Sequence, residues 1–209
     1  MICELEGEQV QLLAARAAYL PRLGALLVAD LHVGKAEAFQ RRGVPVPSGV
    51  TADDLRRLTD ALSATAATSL WVLGDLVHDE DARDLDDLAQ LRARHPDVEL
   101  HVVRGNHDRH LQDLPPAWGF CEHAGTVELG PFALRHEPEG AARGPYTLCG
   151  HLHPMAKVRG AGDELLLPCF HFGRRIGVLP AFTSWSSGVR VDPNDGRTFV
   201  VAGDAVVDL

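Results

Sequence analysis

The chain has 209 residues, is 45% hydrophobic and 23% charged, and carries a formal net charge of −9, the composition of a folded globular protein rather than a disordered one. No stretch approaches the ~18 consecutive apolar residues of a membrane span. The acidic start Met1-Ile2-Cys3-Glu4 lacks a signal peptide's basic head and apolar block, so a cytoplasmic location is expected. The acidic balance also excludes a broad basic face for nucleic acid and leaves room only for a local positive site.

In chain order, the first continuous apolar run, Leu26 to Asp30, leads into His32. Thr51 is placed to cap a helix in which Leu55, Leu58 and Leu62 recur at spacings of three and four. A second run, Leu70 to Asp75, precedes a helical pattern of Leu85, Leu88 and Leu91 that ends before Pro96, and a third, Leu100 to Val103, leads into Asn106 and His107. Continuous runs alternating with helical patterns predict buried strands of a largely parallel sheet, hence an α/β protein. A fourth apolar run, Tyr146 to Gly150, leads into His151 and His153, and otherwise after Pro116 the pattern changes to short β-like pieces: Thr126 to Leu129, Phe132 to His136, Glu164 to Phe170, Ile176 to Leu179, Thr198 to Ala202 and Ala205 to Val207. Gly203-Asp204 is read as a hairpin turn between the last two. One domain over residues 1–209 is expected, with two sheets face to face and helices outside. The four cysteines, Cys3, Cys121, Cys149 and Cys169, form no CxxC pair and are expected to be buried free thiols.

Chemistry concentrates at the ends of the apolar runs, where open α/β sheets bind ligands. Asp30/His32 and His151/His153 are both spaced i, i+2, which on an extended backbone sends both side chains to one face and turns Leu31 and Leu152 away. In order, the set reads Asp30-Leu31-His32, Gly74-Asp75, Gly105-Asn106-His107-Asp108, His136 and Gly150-His151-Leu152-His153. It resembles the five motifs of the calcineurin-like metallophosphoesterase superfamily: DxH, GD, GNH[DE], a single His, and GHxH. The resemblance implies an α/β, four-layer αββα sandwich of two mixed β-sheets flanked by helices. It also implies two divalent metal ions, one held by Asp30, His32, Asp75 and His153 and the other by Asp75, Asn106, His136 and His151. Asp75 would bridge, its two oxygens each facing a different ion. An oxygen and imidazole set suits Mn, Fe, Zn or Co, and the resemblance favours Mn2+. For the single His, His136 is preferred to His123 because it ends an apolar run, whereas His123 precedes Ala124-Gly125 and is read as part of a turn.

Two divalent ions against two carboxylates and a bridging hydroxide leave a local surplus of one positive charge, which attracts a phosphodiester. By resemblance, His107 assists departure of the leaving group. His78, in Gly74-Asp75-Leu76-Val77-His78, looks like the GDLxH form of SbcD-type repair nucleases and is expected to position His107 by hydrogen bonding through its imidazole. A resemblance covering nearly the whole chain is to the ligase-associated DNA damage response endonuclease PdeM family, carried by Ala29-Asp30-Leu31-His32-Val33-Gly34-Lys35, Leu134-Arg135-His136-Glu137-Pro138, Leu167-Pro168-Cys169-Phe170 and Leu179-Pro180-Ala181-Phe182. It implies a Mn-dependent DNA endonuclease acting in DNA repair; single-stranded or distorted DNA is the expected substrate because an acidic chain lacks a face to grip a duplex. The family's expected associates are an ATP-dependent DNA ligase, a helicase and an exonuclease. Lys35 and Arg109, which follow metal motifs directly, are the expected phosphate contacts; Arg41, Arg42, Arg104, Lys157, Arg159, Arg174 and Arg175 are further basic candidates. Trp185 is read as a core residue, with base stacking as its other use. The alternatives are a nucleotide or small-molecule phosphoesterase, and a non-catalytic scaffold of the same fold.

Overall fold

The structure, a computed structural model, describes residues 1–78, 86–139, 144–160 and 163–209. The three expected central strands form as β4 (Ala25–Val28), β5 (Ser69–Val72) and β6 (Glu99–Val103), paired in parallel. All four residues of β4 and of β5 are buried, because one face meets helices and the other meets a second sheet. Three antiparallel N-terminal strands, β1 (Ile2–Leu5), β2 (Glu8–Leu13) and β3 (Ala17–Leu20), and a parallel β7 (Phe120–His123) complete the first sheet in the order β1-β2-β3-β4-β5-β6-β7. His123 therefore ends a strand. The turn expected there is overturned because the parallel pairing with β6 runs on to the Val103 and His123 pair.

The second sheet contains β8 (Val127–Leu129), β9 (Phe132–Leu134), β10 (Tyr146–Cys149), β11 (Met155–Gly160), β12 (Asp163–Phe172), β13 (Ile176–Val178), β14 (Arg197–Ala202) and β15 (Ala205–Asp208). It is mixed: β9, β10 and β13 are parallel neighbours and its other pairings are antiparallel. Gly203, at φ 62°, sits in the two-residue turn between the paired Ala202 and Ala205, as expected.

Two apolar layers hold the sandwich. Leu27, Trp71, Leu73 and Val103 of the first sheet pack on Phe132, Leu134, Phe170 and Phe199 of the second. On the first sheet's other face, Leu55, Leu58 and Leu62 of α2 (Val50–Thr65) and Leu88 and Leu91 of α3 (Asp87–Arg94) cover Leu26, Val28, Leu70 and Val72. The short α1 (Lys35–Arg41) reaches α2 through Thr51 Oγ1, which donates to Glu37 Oε2 at 2.8 Å. Thr51 is thus not the cap. Gly49, at φ 82°, takes that position and starts the helix two residues earlier than expected. Leu85, expected on α3, lies outside the described residues. The second sheet's outer face carries a small cluster of Ala156, Cys169 and Val200. The α/β fold of two mixed sheets is the expected one, and among the described residues its α-helices all come from residues 35–94. No described helix is long and apolar enough to cross a membrane.

The parallel strands β4, β5, β6, β9 and β10 all end toward one rim. A parallel bridge between Ala29 and Ala181 ties the two sheets together beside Asp30.

Candidate metal centre

At that rim the structure gathers Asp30, His32 and His153 into one group, and Asp75, His136 and His151 into a second, with the donor atoms of each group within 4.8 Å of one another. Each group draws on both sheets. Asp30, His32 and Asp75 follow strands of the first; His136, His151 and His153 follow strands of the second.

The expected extended dyads do not form. Asp30, His32, Asp75, His151 and His153 all have left-handed backbones, with φ between 47° and 68°. For residues bearing a Cβ this conformation costs about 1–2 kcal/mol each. A dense mesh of main-chain bonds holds it: Asp30 N–H donates to the Gly74 carbonyl (3.1 Å), His32 N–H to that of Asp75 (2.8 Å), and Phe182 N–H to that of Ala29 (2.7 Å). The Asp30 carboxylate accepts from His151 N–H at 3.0 Å. Asp30 and His32 reach one group, whereas the second dyad divides, His153 joining Asp30 and His32 and His151 joining Asp75 and His136.

The tautomers follow from these contacts. His136 Nδ1 lies 3.0 Å from the Leu73 carbonyl and must donate to it, so Nε2 presents a lone pair. That lone pair faces Asn106 Oδ1 at 2.9 Å, His151 Nδ1 at 3.1 Å and Asp75 Oδ2 at 3.5 Å. In the other group His153 Nδ1 donates to the Ser187 carbonyl (2.9 Å), which turns its Nε2 lone pair toward Asp30 Oδ1 at 3.5 Å and His32 Nε2 at 3.4 Å. Buried His32 has no hydrogen-bond partner on Nδ1 among the described residues. Two knots of electron-rich atoms face inward, an arrangement that divalent cations relieve and that protein hydrogens do not. The donors are imidazole, carboxylate and amide oxygen, which fit Mn, Fe, Zn or Co.

Protonation equilibria show the same strain. Burial pushes the Asp75 carboxyl above its ordinary range, against the opposing pull of His136 and the His107 amide. Burial, with the charge of Lys35 and the neighbouring imidazoles, drives His32 far down. Burial also lowers Lys35, while Asp30 and Asp75 hold it up. His153 is pulled down by burial, yet the bond and charge of Asp30 and the Ser187 carbonyl raise it overall.

Asp75 is arranged differently from the expected bridge. Its Oδ1 accepts from the His107 amide at 2.9 Å, so Oδ2 alone faces both groups, 3.8 Å from His32 Nε2 and 3.5 Å from His136 Nε2. His107 Nδ1 donates to the His78 main-chain carbonyl at 2.7 Å, leaving Nε2 as its reactive nitrogen. His78 therefore holds His107 through its backbone, and its ring stacks on that of His107, centroids 4.9 Å apart. The acidic residues 79–81 that follow lie outside the described residues.

Lys35 lies at the first turn of α1 and lines a cavity of about 450 Å³ with Phe39, Ser184, Trp185, Ser186 and Ser187. Trp185 is half-buried and meets Phe39 edge-on at 4.7 Å, so it walls this cavity instead of filling the core. Arg109 is exposed and pairs with Glu137 at 3.4 Å. Lys157 and Arg159 both pair with Glu164 on the β11–β12 hairpin, and Arg104 pairs with Glu122.

Sequence reasoning left two supports unassigned. Buried Asp108 accepts from Gly105 N–H (2.8 Å) and Val77 N–H (3.1 Å), fastening the Asn106-His107 loop to the Asp75 loop, and its position within the third motif was the available signal. The segment 181–184 is anchored by Arg16, whose Nη1 donates to the Thr183 carbonyl at 2.7 Å, and by Asp54, which accepts from Ser184 N–H at 3.0 Å; nothing in their spacing reveals this. Gly105 admits no side chain, because a Cβ there would overlap Asp75 Oδ1 and the Asp75 backbone nitrogen. Gly105→Ala is therefore expected to destabilise the protein by about 1–3 kcal/mol and to lower its metal content, checked by thermal unfolding and elemental analysis.

The calcineurin-like phosphoesterase family model matches residues 25–171, a span that encloses both groups. Among solved structures, the nuclease MPE of Pseudomonas putida is 34% identical, the match covers 100% of this chain and 99% of that one, and the TM-score is 0.87. The structure of Yfce, a phosphoesterase from E. coli, is 15% identical over 88% of this chain and 97% of that one, with a TM-score of 0.43. No curated protein matches the chain.

Proposed function

We propose that this chain, which belongs to the calcineurin-like phosphoesterase family, is a two-metal phosphodiesterase that incises DNA. The observation that carries the reading is the pair of inward-facing donor groups sharing Asp75 Oδ2. Asp30, His32, Asp75 and His153 would hold one cation and Asp75, Asn106, His136 and His151 the other, most simply as Mn2+. When bound, such a pair supplies Lewis acidity that activates water and neutralises charge on the phosphoryl oxygens. His107, fixed by the His78 carbonyl and by its own amide on Asp75, would in its imidazolium form present Nε2–H to the departing oxygen, give it that proton and be left as the neutral ring. Lys35, the positive charge closest to these carboxylates in sequence, would hold the backbone phosphate.

DNA is favoured over a small phosphoester because the similar structure from P. putida is that of a nuclease. Unpaired or distorted DNA is favoured over duplex because the aromatic cavity beside Lys35 can take an unstacked base, whereas a net charge of −9 gives little grip on a duplex. Incision of such strands is a step that repair needs before a ligase reseals them. The test is incubation with closed circular single-stranded DNA and a panel of divalent ions. Linearisation is expected, strongest with Mn2+. Hydrolysis of a small chromogenic diester with intact circles would place the enzyme among small-molecule phosphoesterases, and no hydrolysis of either substrate with any cation would overturn the reading.

A further inference from the structure

His123, set aside above as a ligand of the metal centre, belongs to a different constellation. His101 on β6 and Cys121 and His123 on β7 form a group whose donor atoms lie within 4.8 Å of one another, and it shares no residue with the metal centre. The register explains the convergence. His101 pairs with Cys121 across the parallel strands, and His123 follows two residues on, so all three side chains leave the same face of the sheet. That face also carries Trp71, directly opposite His101 in the adjoining strand.

The group is built to present lone pairs. Glu99 Oε2 lies 3.5 Å from His101 Nε2, so a ring proton held on Nε2 would point at the carboxylate and leave Nδ1 as the ligand atom; Nδ1 faces His123 Nε2 at 3.2 Å. A carboxylate behind an imidazole in this way fixes the tautomer and orientation of metal-bound histidines in general. Trp71 locks the rings, stacking on His101 at 4.0 Å and 10° and on His123 at 5.4 Å and 22°, while its own Nε1 donates to Ser69 Oγ at 3.2 Å. Burial and the neighbouring His101 lower the pKa of His123, which keeps its imidazole neutral. Cys121 is exposed, against the expectation that every thiol is buried; Cys3, Cys149 and Cys169 are buried.

We propose that His101 Nδ1, His123 Nε2 and Cys121 Sγ form a second, separate site for one borderline-soft divalent cation of the zinc type, with a fourth position open to solvent. A thiolate with two imidazoles selects such an ion over Mn2+ or Mg2+. The ion would brace edge strand β7 against β6. It would also act close to the chemistry in sequence, since the His123 carbonyl accepts from Arg104 N–H at 2.9 Å, two residues before Asn106.

The site is tested with Co2+ as the probe, added to protein already saturated with Mn2+. The metal centre contains no sulfur, so a thiolate-to-cobalt charge-transfer band in the near ultraviolet reports this site alone. One equivalent of the band is expected in the wild type and none in Cys121→Ser. His123→Ala should weaken cobalt binding at least tenfold, and Glu99→Gln roughly tenfold, the usual cost of losing a carboxylate behind a metal-bound histidine. Absence of the band in the wild type, its survival in Cys121→Ser, or an unchanged titration in His123→Ala would each overturn the proposal. A second measurement needs no variant: Zn2+ should slow alkylation of Cys121 by iodoacetamide. Burial pushes the Cys149 and Cys169 thiols up to about 12, so they contribute little to that reaction. Alkylation at the same rate with and without Zn2+ would also refute the site.

Discussion

Asp75→Ala is expected to empty both cation positions together and to take phosphoester hydrolysis below detection. Asp75 Oδ2 faces both groups, 3.8 Å from His32 Nε2 and 3.5 Å from His136 Nε2. Removing it withdraws an anionic donor from each position and leaves both sets of imidazoles facing one another without compensation. The same change frees the His107 amide, which Oδ1 holds at 2.9 Å, so the loop carrying the proton donor loses an anchor as well. Elemental analysis after dialysis against Mn2+ checks the first effect and circle linearisation the second. A variant that kept two equivalents of metal would show that Asp75 does not bridge. The effect should exceed that of His153→Ala, which removes a donor from one position only.

His107→Asn should separate chemistry from binding. Metal content and KM are expected to stay near wild type while kcat falls by about 10²–10⁴, the usual contribution of a positioned acid or base. The reasoning is geometric: His107 Nδ1 is committed to the His78 carbonyl, so Nε2 is the atom left to exchange a proton. A diester whose leaving group is a nitrophenolate departs without a proton, so the deficit on that substrate should shrink. An equal deficit on DNA and on the activated diester would instead assign His107 to orienting the phosphate. Retention of full incision would remove it from the mechanism.

The strands that end at the site were legible because they are buried on both faces and so read as continuous apolar runs; β4 and β5 are the clearest. The N-terminal strands were not. In β2 the buried positions are Glu8, Val10 and Leu12, and the alternation fails at Glu8, whose carboxylate is turned inward and met by Arg22. Motif order picked out the side chains that the structure gathers at the rim, but not the backbone that carries them. Left-handed conformations at Asp30, His32, Asp75, His151 and His153 depend on hydrogen bonds from distant segments, which no local pattern encodes. The reading of His123 erred for a related reason: Ala124-Gly125 does mark a turn, but the parallel neighbour extends the strand to its edge. Asp108 stood inside a recognised motif, and only its two main-chain bonds reveal what it does.

Because each proposed cation takes ligands from both sheets, the gap between them is set by the aromatic filling of the sandwich, by Phe132, Phe170 and Phe199 packed under Trp71 and Leu73. That filling works as a gauge block between two jaws. A core substitution far from any ligand that thinned the block would let the jaws close, shortening the span across which a phosphate must fit, and would register as altered cation preference before it registered as unfolding.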